Sequence, residues 1–251
     1  MKIGPKKIKL VVIIVLCICF NGANNVYAVD IEKDVLELVL EWEQEANGKV
    51  AYLTFDDGPS IYTEQLLDIL NVYEVPGIFF VLGDHFEFIP RLDSVLNRII
   101  DEGHYIALHT MTHDKNVLYR SDQAPDTFIK EMYQLRDKVE RITGHTTNLC
   151  RAPYGKRGHF KADHYQFVEE AGFYCVDWHV DSQDWAKENA EQIYDEVVRG
   201  LEAFKKADEV VLLFHEYQRT VEVLPSVIEY LIEAGYTFKP YVEGKMFEGL
   251  S

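Results

Sequence analysis

Parallel strands joined by crossover helices and curled towards a barrel are what this sequence of 251 residues predicts. Two observations carry that α/β reading. Seven short apolar runs alternate with six stretches of helical period, and alternation of this kind sets crossover helices between parallel strands. Polar clusters also follow five of the runs at their carboxyl ends: "DDGP" after the first, "HTMTH" after the third, "RAPYG" after the fourth, "DSQDW" past the fifth and "HE" after the sixth. A barrel brings every such end to one mouth, whereas an open doubly wound sheet gathers only those near its switch point, so a barrel is favoured.

The first run, "VAYLTF" (Val50–Phe55), is followed at once by Asp56 and Asp57. Neighbouring strand residues point to opposite faces, so these carboxylates converge only if the chain turns there, and Gly58 with Pro59 supplies turn chemistry. A helix at Thr63–Val72 leads to the second run, "GIFFVLG" (Gly77–Gly83). The helix Leu92–Asp101 stops before Gly103, where a left-handed C-cap belongs, and "HYIAL" (His104–Leu108) forms the third run. A helix over Pro125–Ile142 precedes "TNLC" (Thr147–Cys150). The helix Ala162–Ala171, closed by Gly172, precedes "FYCVDW" (Phe173–Trp178), and Ala190–Lys206 precedes "EVVLLF" (Glu209–Phe214). The last pair is the helix Val223–Ala234, closed by Gly235, and "YTF" (Tyr236–Phe238). No repeat, low-complexity tract or linker marks a boundary between them.

Ahead of this series, Lys2, Lys6, Lys7 and Lys9 precede the apolar "LVVIIVLCICF" (Leu10–Phe20), and "VYA" follows at Val26–Ala28. A basic start, an apolar middle and a small-residue end make a secretory signal over residues 1–28, with cleavage expected after Ala28. A retained anchor is the rival, but eleven apolar residues fall short of the roughly 20 needed to span a hydrocarbon core, so no stable membrane insertion is expected after cleavage. Neither Cys17 nor Cys19 follows the small residues of a lipoprotein signal. Residues 29–48 read as a helical lead-in and 49–251 as one domain. Losing the signal removes four lysines and no acid, taking the formal net charge from −17 to −21, which argues against nucleic acid and anionic membrane surfaces as partners. For Cys150 and Cys175 a disulfide and two buried thiols both stay open.

His109 and His113 stand four apart, a spacing that sets both imidazoles on one face of a helical turn. In a chain with nine histidines such a pair is more often surface or capping residues. Its weight here comes from a third, anionic ligand available in "DDGP": two histidines and a carboxylate leave positions open on a divalent cation, as catalytic metals require. One aspartate on the metal frees its neighbour to act as general base, and a plain solvated Asp-Gly turn has no need of a second. His215, ending an apolar run, is either a satisfied core histidine or the group that protonates a leaving amine or alcohol, with Asp184 placed to hold it charged. Arg151 reads as the partner of the base or as a turn arginine, while Pro153 and Gly155 shape a turn that can aim a backbone N–H at an oxyanion. Trp185 and Leu213 read as walls of a small apolar pocket or as core.

Taken in order, "TFDDGP", "HTMTH", "RAPYG", "DSQDW" and "LLFH" resemble the five motifs of the polysaccharide deacetylase family, the NodB-homology domain of carbohydrate esterase family four, over about Lys49–Phe238. The resemblance implies a single-domain distorted (β/α) barrel of seven or eight strands, with its active site at the strands' carboxyl ends. It implies metal-dependent removal of acetyl groups from N-acetylglucosamine polymers or, in some members, from acetylated xylan. It gives Asp57, His109 and His113 as ligands of one divalent ion, zinc or else cobalt, nickel or manganese, and Asp56 as the base that Arg151 orients. It gives Tyr154 as the source of the amide that helps to hold the oxyanion, His215 as the acid tuned by Asp184, and Trp185, Leu213, Pro153 and Tyr154 as substrate-binding residues. Ala152 stands where a second proline is frequent and Glu216 where aspartate is commoner, departures that bear on subsite shape and leave the catalytic groups in place.

The expectation is therefore a secreted, extracellular or wall-associated monomer acting on peptidoglycan or a chitin-type glycan. Two alternatives stand beside it, an O-acetyl esterase on xylan and a catalytically silent glycan-binding module. A binder has no use for paired Asp56 and Asp57, which weighs against the second.

Overall fold

The computed structural model describes residues 48–250, and its central element is the strand β1 (Lys49–Gly58). Nearly every residue of β1 is buried, as in strands covered on both faces. They divide with period two: Ala51, Leu53 and Phe55 join the core that the helices cover, while Val50 and Tyr52 join a second cluster on the opposite face. α1 (Thr63–Tyr73) then leads to β2 (Gly77–Val81), and a 3₁₀ turn with α2 (Leu92–Asp101) leads to β3 (Tyr105–Leu108). α3 (Lys115–Tyr119) and α4 (Ala124–Thr143) precede β4 (Leu149–Cys150). α5 (Ala162–Glu170) precedes β5 (Tyr174–Cys175), and β6 (Val180–Asp181) follows without an intervening helix. α6 (Ala190–Ala203), β7 (Glu209–His215), α7 (Gln218–Glu233) and β8 (Tyr236–Phe238) complete the series.

Every ladder is parallel, in the order β5-β4-β3-β2-β1-β7-β6, with β8 beside the first three residues of β1. Helices cover one face of this sheet. The other is covered by Tyr241, Phe247 and Leu250, from the chain after β8; Phe247 meets Tyr52 edge-on with ring centroids 4.9 Å apart. No ladder joins β5 to β6, the outermost strands. The chain from Val176 to His179 spans that opening, and the Arg151 guanidinium donates there to the carbonyls of Val176 and Asp177. The sheet is thus a curled, incompletely closed (β/α) barrel, with the carboxyl ends of β1, β3, β4 and β7 at one mouth.

Several expectations change. "FYCVDW" was expected as one strand, but Tyr174–Cys175 pairs with β4 and Val180–Asp181 with β7, because this segment has to cross the opening. α3 was not expected, being too short to show a period. α7 begins at Gln218, five residues before the expected Val223, since its polar first turn hides the helical pattern. Cys150 and Cys175 are free, buried and directly opposite each other across β4 and β5. The expected signal at 1–28 and lead-in at 29–48 lie outside the described residues, save Gly48 at the end. Among the described residues no helix is long and apolar enough to cross a membrane.

Candidate functional site

Asp56 and Asp57 converge through a bulge. The pairing of β1 with β2 shifts register between Asp56 and Gly58, which leaves Asp57 unpaired at φ 63°. The turning residue is therefore Asp57 itself, upstream of the expected Gly58 and Pro59; aspartate is among the few L-residues that visit this region readily. Gly58 has a different task. A Cβ there would collide with Oε1 of Glu216, just past β7, so any larger residue would have to displace that carboxylate.

The two histidines also meet for a reason other than the one expected. His109–His113 is a loop, not a helical turn, and it reverses through left-handed residues at Thr110 (φ 70°) and His113 (φ 55°). Glu131, buried on α4, holds that loop: its Oε2 accepts from the backbone N–H of Met111 at 2.9 Å and of Thr112 at 3.0 Å, and the Thr112 hydroxyl donates to the same carboxylate.

These turns bring one donor atom each from Asp57, His109 and His113 within 4.8 Å of one another. Asp57 Oδ1 lies 3.4 Å from His109 Nε2 and 3.5 Å from His113 Nε2, and although buried it has no hydrogen-bond partner among the described residues. His109 donates from Nδ1 to the Arg151 carbonyl at 2.9 Å, which directs an unprotonated Nε2 at the cluster. Burial lowers its pKa to about 3, so the ring is neutral, as a ligand must be. An orphaned carboxylate oxygen facing two imidazoles fits a divalent cation.

Asp56 faces the interior beside Thr54. Its Oδ1 accepts from Arg151 Nη1 at 2.8 Å, and the same nitrogen donates to Thr54 Oγ1 at 2.7 Å. Arg151 is wholly buried, packed with its guanidinium carbon 4.1 Å from the centroid of the Phe80 ring. Burial raises the Asp56 pKa, and the charge of Arg151 opposes that rise. Across the mouth, His215 donates from Nδ1 to Asp184 Oδ1 at 2.7 Å and from its backbone N–H to Oδ2 at 2.6 Å. Burial by itself would lower the imidazole, but the hydrogen bond and charge of Asp184, with the charges of Asp56 and Asp57, outweigh it and raise the pKa to about 9. Thr220 and the Arg219 guanidinium hold Asp184 in turn, through Oδ2 and the backbone carbonyl.

Of the remaining expected residues, Tyr154 is in ring contact with His113, with centroids 4.6 Å apart. It sits at φ 65°, and its backbone N–H has no protein acceptor among the described residues. The Pro153 carbonyl accepts from Tyr119, Leu213 is buried on β7 in register with Asp181, and Trp185 is largely exposed. Thr54, Glu131 and Thr220 were not anticipated. A signal existed for Glu131, an acid on the apolar stripe of Phe128, Met132 and Leu135, and for Thr54, the polar residue two before Asp56 on the same face.

Residues 43–176 match the sequence pattern of the polysaccharide deacetylase family. The chain is 36% identical to a putative polysaccharide deacetylase of Bacillus subtilis, over 82% of this chain and 71% of that one. It is 32% identical to a peptidoglycan-N-acetylglucosamine deacetylase of Bacillus cereus, over 89% and 82%. The crystal structure of a polysaccharide deacetylase from Bacillus cereus superposes with a TM-score of 0.71 at 31% identity, covering 79% of this chain and 95% of that one.

Proposed function

The chain belongs to the polysaccharide deacetylase family, and we propose that it is an exported, zinc-dependent hydrolase that removes acetyl groups from N-acetylglucosamine residues of peptidoglycan. The observation that carries the reading is the buried, unpartnered Asp57 Oδ1 facing the ring nitrogens of His109 and His113. A divalent cation held by these three residues would supply Lewis acidity, polarising the acetamide carbonyl and acidifying water. Asp56 takes the proton of the attacking water, and Arg151 fixes which of its oxygens is free by occupying Oδ1. The unengaged Tyr154 amide donates to the developing oxyanion. His215, kept cationic by Asp184, gives its proton to the departing amine, and Leu213 with Trp185 encloses the acetyl methyl. The peptidoglycan reading is supported by the named activity of the Bacillus cereus relative, and the export reading by the signal-like residues 1–28.

The test is acetate release from purified peptidoglycan, from chitooligosaccharides and from acetylated xylan by protein stripped with a chelator and resupplied with zinc. We expect release that depends on the metal, is greater on peptidoglycan, and falls by about 10²- to 10⁴-fold in Asp56→Asn. Release from acetylated xylan alone would replace the reading with an O-acetyl esterase, and glycan binding without release from any of the three with a silent module.

A further inference from the structure

A cationic and aromatic patch lies beside His113. The Tyr154 side chain, 51% exposed, donates its hydroxyl to the His113 carbonyl at 3.3 Å. Lys115, on α3, holds Nζ 5.1 Å from the centroid of the Tyr154 ring, and the His159 ring lies 5.9 Å from Tyr154 and 5.2 Å from Tyr119. Arg120 follows α3 and is exposed. Lys115 and Arg120 act on His159 together: after burial, their two positive charges are what push it towards its neutral form. Among the described residues neither cation pairs with a carboxylate; the Arg120 guanidinium donates from Nη1 to Asn116 Oδ1 at 2.8 Å. Asp114, the acid next to Lys115 in sequence, is turned to the amides of Asn116 and Val117.

We propose that Lys115, Arg120 and the ring of Tyr154 form a subsite for a carboxylate-bearing sugar adjoining the residue that is deacetylated, so that the chain selects an acidic glycan over a neutral chitin-type one. The position of the subsite rests on the deacetylase reading above. An exposed aromatic ring offers a surface for the apolar face of a pyranose, and the two cations offer charge-assisted contacts to an acidic substituent, such as the lactyl carboxylate of muramic acid. The patch also accounts for how so acidic a chain approaches an anionic polymer. At physiological salt the screening length is about 8 Å, so charges at the mouth govern docking and the distant acidic surface is largely screened.

The experiment compares the full chain with its Lys115→Gln/Arg120→Gln variant, both carrying Asp56→Asn and loaded with zinc. Binding is measured by calorimetry to peptide-free peptidoglycan strands, which carry free lactyl carboxylates, and to chitotetraose. The double variant should lose about tenfold in affinity for the acidic strands, the scale of two exposed charge contacts, and most of the salt dependence of that binding. Its affinity for chitotetraose and for zinc should be unchanged. Equal losses on both glycans, no loss on either, or an unsubstituted chain that prefers chitotetraose or binds neither would overturn the proposal. Turnover by the chain with Asp56 intact is scored separately: failure to release acetate would defeat the deacetylase reading, while the binding comparison still decides the subsite.

Discussion

Asp56, Asp57 and Asp184 are three carboxylates at one mouth whose surroundings fit them to different tasks. Asp56 is enclosed and tied to Arg151, Asp57 presents an unpartnered oxygen to two imidazoles, and Asp184 is wholly buried against His215. His215 is where protonation is most directly set by geometry. Its pKa of about 9 keeps it cationic through the neutral range, so the alkaline limb of kcat/KM should lie well above the 6.5 of free imidazole. Asp184→Asn keeps the shape and removes the charge, and should move that limb down; a limb that stays in place would take His215 out of the acid role. The same shift links to stability. Because the folded pKa is raised, the contribution of His215 is fully present below about 6.5 and is lost as pH climbs through about 9. In the metal-free protein, the Tm advantage over His215→Gln should shrink across that window.

At the scale of elements, the site is made by places where β1 and the loop after β3 depart from regular geometry. Asp57, Thr110 and His113 all hold positive φ without being glycine, a cost that surrounding contacts must offset. Glu131 is such a contact for the loop that carries both histidines. Glu131→Gln should weaken zinc binding by about 10- to 100-fold while the circular dichroism spectrum stays that of the unsubstituted protein, and an unchanged zinc affinity would show that the loop holds its shape alone. The close approach of β1 to the end of β7 makes a second expectation. Glu216 is buried, and its Oε2 is held by the Ser60 amide and the Thr63 hydroxyl, so it cannot swing aside freely for a larger neighbour. Gly58→Ala should cost about 1–3 kcal/mol in urea denaturation, and Glu216→Asp should relieve part of that cost; strictly additive losses would mean the two positions do not touch.

At the scale of the whole molecule, an incompletely closed barrel needs its inner face covered. Helices supply the outer core, and the chain beyond β8 supplies Tyr241, Phe247 and Leu250 for the inner one. Lys156 fastens that segment, donating from its buried ammonium to the carbonyls of Cys175 and Leu250 at 2.8 Å each. Phe247→Ala should therefore cost about 3–5 kcal/mol, as a core truncation would, although it lies outside every strand and helix; a loss below about 1 kcal/mol would show that the inner face needs no cover.

The sequence by itself determined the alternation of strands and helices, the glycines that end α2, α5 and α7, and which side chains stand at the carboxyl ends. Those features are written locally, because periodic burial and cap chemistry depend on residues a few positions apart. Tertiary structure alone decided that the barrel stays open between β5 and β6, that Arg151 reaches across that opening while holding Asp56, and that Glu131 carries the histidine loop. It also decided how the paired aspartates and the spaced histidines converge. Thr110 carries no local mark of a left-handed backbone, and the loop it opens is held by Glu131 on α4, 20 residues on from Met111 and 19 from Thr112, a partner that only the folded molecule brings to it.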